Sequence, residues 1–417
     1  MRTADKPFKI TKKQVYEAYK AVKSNHGGAG VDKETIEQFE AGLKGNLYKL
    51  WNRMSSGSYF PPPVRAVSIP KKSGGERILG VPTVADRVAQ MVVKQSIEPD
   101  LDPIFLADSY GYRPGKSALD AIGVTRQRCW KYDWVLEFDI KGLFDNIDHE
   151  LLLRAVRKHV KCKWALLYIE RWLTAPMELE DGTRVERMRG TPQGGVISPI
   201  LSNLFMHYAF DLWMARAYPD LPWCRYADDG LVHCRTEQEA QALKAALQAR
   251  LAECHLEMHP VKTKIVYCRD GKRNGEYPDV KFDFLGYCFR PRLVQNPRNK
   301  RLFCSFTPAV SPIALKSMRK KIRELGVRKR TELPLAEIAD RINPLLRGWM
   351  NYYGRYAPSA LTSLLRYVNQ TLLAWVMRKF KRFNGHKTRA SRFLQRLSRQ
   401  SPGLFVHWRP GETGMFA

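Results

Sequence analysis

The stretch Trp223-Cys224-Arg225-Tyr226-Ala227-Asp228-Asp229-Gly230-Leu231-Val232-His233-Cys234 constrains the fold more than any other feature, because it reads as two strand-like arms joined by an acidic turn. Asp-Asp-Gly alone is usually a solvated turn. A second lone carboxylate changes that reading: Asp139 closes the upstream run Trp134-Val135-Leu136-Glu137-Phe138-Asp139-Ile140, a strand by its aromatic and β-branched content. Asp139, Asp228 and Asp229 at strand ends can converge on two Mg²⁺ ions, hard cations that take oxygen ligands and leave room for substrate phosphates, with Mn²⁺ able to substitute. Such a metal pair stabilises the attacking and leaving oxygens of an in-line phosphoryl displacement.

Strands, helices and hairpins alternate around this centre, which predicts a mixed α/β core. Thr11 caps a helix with Val15, Ala18, Tyr19 and Val22 inward, and Ile69 to Leu79 reads as a basic hairpin turning at Ser73-Gly74-Gly75. Further helices are expected from Asp86, from Asp148 and from a Thr236/Glu239 capping box. From Pro334 onward Leu335, Ile338, Ile342, Leu345 and Trp349, then Leu361 to Val376, predict a helical bundle.

The formal charge of +29 over 417 residues points to a polyanionic partner. Residues 311–410 hold 22 Lys and Arg against four acids, so most of the excess sits in the last quarter. That region reads as a nucleic-acid-binding module or as a solvated basic helical domain, since its interleaved rings suit a core as well as stacking. A hydrophobic content of 44% excludes disordered and collagen-like classes. No apolar run is long enough to span a membrane, and eight cysteines without a C-x-x-C pair predict reduced, mostly buried thiols.

Several ordered segments carry a resemblance. They are Gly28-Ala29-Gly30-Val31-Asp32; Ile69-Pro70-Lys71 through Arg77 to Gly80-Val81-Pro82; Ser109-Tyr110-Gly111-Tyr112-Arg113-Pro114-Gly115-Lys116-Ser117; and Phe138-Asp139 through Asp148-His149. Gly190-Thr191-Pro192-Gln193-Gly194-Gly195, Tyr226-Ala227-Asp228-Asp229, His259-Pro260-Val261-Lys262-Thr263-Lys264 and Phe284-Leu285-Gly286-Tyr287 follow. In this order the set resembles a reverse transcriptase, and within that class the group II intron-encoded proteins that add an RNA-binding maturase domain. Leu345 to Tyr356 resembles the thumb, or maturase, signature of the same family.

The resemblance implies an α/β (α+β) right-hand polymerase: fingers over 1–125, a palm with antiparallel or mixed sheet over 126–300, a helical thumb over 301–384 and a short basic DNA-binding segment over 385–417. It makes Asp139 and Asp228 the principal metal ligands and Asp229 a supporting carboxylate, and it sets Lys71 and Arg77 on the nucleotide's phosphates. Phe144 becomes a gate against the ribose 2′-hydroxyl, with core packing the plainer reading, and Gln193 contacts the nucleotide's sugar and base. Lys262 lies near the nucleotide, a structural role being equally open, and Arg113 and Lys116 touch template phosphates. Arg347, Arg355, Lys379, Lys381, Arg382, Lys387 and Arg389 are the expected RNA contacts of the thumb.

Implied partners are group II intron RNA, an RNA template, a DNA primer or target and deoxynucleotides, in a bacterial cytoplasm or nucleoid. The expected form is the one without the family's zinc-containing endonuclease. A non-catalytic splicing cofactor and a reverse transcriptase adopted for phage defence are the rival readings.

Overall fold

Side-chain caps decide where these helices begin, because the first amides of a helix have no partner within it. In the computed structural model, which describes residues 6–70, 75–296 and 298–409, Thr11 and Gln14 form a reciprocal capping box ahead of Lys12–Ser24. Asp148 accepts from the Leu151 amide at the head of His149–His159, and Thr236 from the Glu239 amide at the head of Glu237–Glu253. The helix expected from Asp86 starts instead at Val84, capped by Thr83. Asp86 is buried in its first turn, where the Tyr59 hydroxyl (2.6 Å), the Trp172 indole (2.7 Å) and the Gln90 amide (2.9 Å) donate to it. Gln90 in turn accepts from the Val196 amide (2.7 Å), which ties the Gly190–Gly195 loop to this helix.

The chain divides into two units, Met1–Ala121 with Trp134–Ile265, and Ile122–Asp133 with Val266–Ala417. In the first, the strand Val64–Pro70 pairs antiparallel with Glu76–Val81, setting Ile69 opposite Arg77, and parallel with Met177–Glu178. The turn of that hairpin, with Lys71, lies outside the described residues apart from Gly75. A second sheet joins Trp223–Tyr226 to Asp229–Cys234 and the latter to Trp134–Asp139, all antiparallel. These strands are buried on both faces, so neighbouring residues such as Val135 and Leu136, and Leu231 and Val232, are all in the core together with Phe138.

The second unit opens with the antiparallel strands Phe282–Phe284, Tyr287–Gln295 and Leu302–Val310 and continues with the helices Pro312–Glu324, Leu335–Tyr353, Thr362–Lys379 and Lys387–Gln400. The division therefore falls at residue 265 rather than 300, and the sheet expected to belong to the palm travels with the helical unit. Nor are residues 385–409 a separate tail. Ala390, Leu394, Phe405, Val406 and Trp408 share one apolar core with Ile338, Ile342, Leu372 and Trp375, because a buried stripe runs beneath the basic surface of Lys387–Gln400. Asn343 donates to the Leu404 carbonyl (2.9 Å) and accepts from the Val406 amide (3.0 Å), and Asn369 accepts from the rings of His407 (2.7 Å) and Trp408 (3.1 Å). All eight cysteines are free and six of them buried. Among the described residues no helix is long and apolar enough to cross a membrane.

Trp408→Ala is expected to destabilise the second unit by about 3–5 kcal/mol in urea unfolding, the usual cost of emptying a buried indole site. Burial pushes the His407 imidazole down to about 4 from the ordinary 6.5. A depressed histidine contributes stability that is present above about 6.5 and lost as pH falls towards 4, on the order of 3 kcal/mol in full. The urea midpoint of wild type should fall more steeply than that of His407→Gln over this window, and parallel curves would show that His407 does not carry it.

Candidate active site

Register places the acids. Asp139 stands directly opposite Asp229 across the sheet, and Phe138 opposite Gly230. The intervening residues Ala227 and Asp228 make the turn, with Ala227 at φ 58° in the left-handed region and the Asp228 carbonyl accepting from the Ile140 amide (3.3 Å). Gly230 is required because a Cβ there would stand 2.1 Å from the Phe138 ring, and Gly111 because a Cβ would stand 2.5 Å from the Ala227 nitrogen.

Three carboxylates so placed repel one another. Asp229 has an exposed side chain hemmed by protein atoms, and its carboxyl is pushed up to about 7, first by local desolvation and then by Asp228 and Asp139. Desolvation, with Asp139 adding to it, also raises Asp228. The charge is met from one side: the Asp139 carbonyl accepts from the His259 amide (2.7 Å), which draws the next turn alongside, and the Lys262 ammonium bonds the Asp139 carboxylate. That bond is the first cause of the raised Lys262 pKa.

The described residues contain no ready cluster of three or more His, Cys, Asp or Glu that would hold a metal by themselves. The donor set, all carboxylate oxygens at a crowded anionic edge, still suits a hard divalent cation that completes its shell with water and phosphate oxygens.

Beside the acids lies a second group. Arg77 donates to the Gln193 carbonyl oxygen, and the Gln193 amide donates to Asp145 (2.7 Å) in the short helix Leu143–Asn146. Phe144 of that helix is buried and meets the Tyr112 ring edge-on at 6.4 Å, while Tyr112 meets Tyr226 at 6.3 Å. Burial raises the Tyr112 hydroxyl pKa, and Asp228 adds to it. The structure thus gathers Asp139, Asp228, Asp229, Lys262, Arg77, Gln193 and Phe144 in the first unit. Tyr112 and Asp145 join them without having been singled out in the sequence.

Arg113 belongs elsewhere. Its five N–H groups go to Asp102 Oδ1 (2.8 Å), Asp102 Oδ2 (3.3 Å) and the carbonyls of Asp102 (3.1 Å), Leu106 (2.8 Å) and Ser109 (2.9 Å). No donor is left for a template phosphate, which corrects that expectation. Lys116 is half-buried, with its ammonium donating to the Ala107 carbonyl (3.0 Å) and lying 5.0 Å from the Tyr110 ring. In the second unit Arg347, Arg355, Lys381, Arg382, Lys387 and Arg389 are exposed, whereas Lys379 is half-buried on the Leu333 carbonyl (2.6 Å). His149 is a satisfied polar group, its ring bonded to the Gly190 carbonyl (2.7 Å).

One residue inside the hairpin holds it in place. Arg225 is fully buried and gives Nε and one Nη2 hydrogen to the two oxygens of Asp211 (2.7 Å each), the other Nη2 to Ser109 (2.9 Å), and its Nη1 hydrogens to Asn203 (3.2 Å) and the Ala227 carbonyl (3.0 Å). Asn203 also donates to the Gly111 carbonyl (2.7 Å). Asp211 reaches this position from a π-helical turn, His207–Asp211.

Comparison with known proteins places these motifs. The family model for reverse transcriptase (RNA-dependent DNA polymerase) matches residues 69–289, more than half of the chain, and that for the group II intron maturase-specific domain matches residues 315–393. The chain is 30% identical to Protein YkfC of Escherichia coli (strain K12) over 301 residues, 62% of this chain and 74% of YkfC. It is 34% identical to the group II intron-encoded protein LtrA of Lactococcus lactis subsp. cremoris over 195 residues, 46% of this chain and 32% of LtrA. It is 32% identical to a putative COX1/OXI3 intron 1 protein of Saccharomyces cerevisiae over 197 residues, 47% of this chain and 23% of that protein. The matches thus span about three quarters of YkfC but a third or less of the two intron proteins.

Arg225→Met should cost about 3–5 kcal/mol in urea unfolding, because it strands the Asp211 carboxylate in the core. Arg225→Met with Asp211→Leu should recover most of that loss, and additive losses in the pair would refute the ion pair as the linkage.

Proposed function

The chain belongs to the reverse transcriptase family of RNA-directed DNA polymerases and carries a group II intron maturase-specific domain, and from that membership we propose that it copies RNA into DNA at the Asp139/Asp228 edge and binds intron RNA through its second unit. The observation that carries the reading is the juxtaposition of Asp139, Asp228 and Asp229 at one sheet end, near Lys262 and the Arg77–Gln193–Asp145 row.

The family uses divalent metal ions. We take them to be two Mg²⁺ held by Asp139 and Asp228 with Asp229 in support, where they would neutralise charge on the oxygens being joined and parted. The chain's own groups do the rest. Arg77, freed from Gln193, meets the triphosphate, and Lys71, outside the described residues, is assigned beside it. Gln193 is left to contact the sugar and base. Lys262 screens the carboxylate edge before a nucleotide arrives and the phosphates afterwards. Phe144, held edge-on by Tyr112, closes the space beside the sugar's 2′ position, so that discrimination rests on a ring with little freedom to move.

The exposed cations Arg347, Arg355, Lys381, Arg382, Lys387 and Arg389 suit phosphates of structured RNA, and Lys116 those of a template. In this reading the fingers would include the strands Val64–Pro70 and Glu76–Val81, the palm the Asp139 sheet and the thumb the helices beyond residue 311. Assistance to splicing, use of a DNA primer or target, mobility of the intron and a cytoplasmic setting complete the proposal.

Primer extension on a defined RNA template with Mg²⁺ tests it. Asp228→Ala and Asp139→Ala should each abolish deoxynucleotide incorporation while leaving RNA binding intact. Phe144→Val should raise ribonucleotide incorporation relative to deoxynucleotide by 10-fold or more, about 1.4 kcal/mol of selectivity. A wild type that binds RNA yet extends no primer would turn the reading to a splicing scaffold.

A further inference from the structure

We propose that the second unit holds a separate groove for single-stranded nucleic acid, built on the hairpin Tyr287–Gln295/Leu302–Val310 and the segment around Arg126 and Trp130. The inference goes beyond the polymerase reading, because every residue lining the groove belongs to the second unit and every residue assigned to the acidic edge belongs to the first.

The groove encloses about 1140 Å³, and its lining includes Arg126, Trp130, Lys272, Arg290, Arg292 and Phe303. A single acid, Asp270, stands among the lining residues. It is already engaged, accepting from the Lys272 amide (2.8 Å) and from Arg273 Nε (3.0 Å). The net field of the groove is therefore positive and calls for an anion.

Its cations are open to one. Arg126 lies over the Trp130 ring at 4.4 Å and 5.5 Å from the Tyr356 ring, and its Nε is buried with no hydrogen-bond partner among the described residues. A buried donor left without an acceptor is a standing cost that a bound oxygen anion would remove. Arg290 is exposed on its strand. Arg292 gives Nε to the Thr307 carbonyl (3.3 Å) and Nη2 to the Cys288 carbonyl (3.2 Å), which leaves its Nη1 hydrogens available.

The anion must also bring flat apolar surface. Trp130 is 44% exposed although its Nε1 is anchored on the Phe306 carbonyl (3.0 Å), so the indole is fixed by its edge with a face open. Phe303 is 48% exposed and Leu293 74% exposed. Phosphates on the arginines with bases on these faces satisfy both demands, and only an unpaired strand can present base faces, since a duplex hides them in its stack. Arginine between rings is a further mark of such sites.

The test uses the full chain. Its acidic edge is first saturated with a chain-terminated RNA–DNA hairpin, whose own binding is measured, and fluorescent strands of about twelve nucleotides, oligouridine or oligothymidine, are then titrated by anisotropy. Wild type should bind the second strand. Trp130→Ala should weaken it about tenfold, Trp130→Phe should restore most of that, and Arg290→Ala should flatten the salt dependence by about 0.7 in log–log slope. Primer extension by these variants should match wild type.

Binding of oligouridine alone, oligothymidine alone or both supports the groove and names its source. Titrations unchanged by Trp130→Ala and Arg290→Ala overturn it, as does displacement by polyglutamate as effective as by an oligonucleotide. Failure of wild type to hold the hairpin would count against the polymerase reading while the strand titration still reports on the groove.

Discussion

The ion pair between Arg225 and Asp211 is the interaction on which the acidic edge depends. An isolated carboxylate or guanidinium in this core would be very costly, and the pair is tolerable because all five arginine donors find acceptors. Two of those acceptors set the position of the turn: the Ala227 carbonyl directly, and Asn203, whose amide carries the constraint on to Gly111. The turn residue Ala227 sits in left-handed backbone space, which costs on the order of 1–3 kcal/mol and persists only where surroundings impose it. Buried polar bonding here acts on geometry more than on net stability.

Crowded carboxylates and their counter-charges form the second layer of the site. Lys262 neutralises Asp139 from a turn that follows the sheet, and Arg77 is parked on Gln193. Both are flexible side chains holding a place near which substrate charge would come. Phe144 is buried and meets the half-exposed Tyr112 ring edge to face.

The acids were legible because their signals are local: two strand-like arms meeting at an acidic turn mark a hairpin, and aromatic and β-branched composition marks its neighbour. Asp211 was not, since it lies fourteen residues from Arg225 on a helix where no periodicity says which charged side chain turns inward. Arg113 misled for the same reason, its carboxylate partner being eleven residues away in sequence on a neighbouring turn. Thr83 and Asp86 are both good caps three residues apart, and only the waiting donors of Tyr59 and Trp172 decide which one is drawn into the core. Beyond residue 385 the density of Arg and Lys hid the stripe of Ala390 and Leu394 that joins the helix to its unit. In each case the missing information is long-range contact, which composition and spacing do not encode.

The second unit takes Ile122–Asp133 from before the strand Trp134–Asp139 and everything else from after residue 265. Trp130 finds its backbone partner only at Phe306, 176 residues later. At ribosomal rates of 5–20 residues per second, that is roughly 10–35 s during which the Trp130 indole has been synthesised without its Phe306 acceptor. The first unit can complete all of its strands in that interval, so synthesis itself imposes an order of assembly, and the early segment is the one that a nascent-chain chaperone would find exposed.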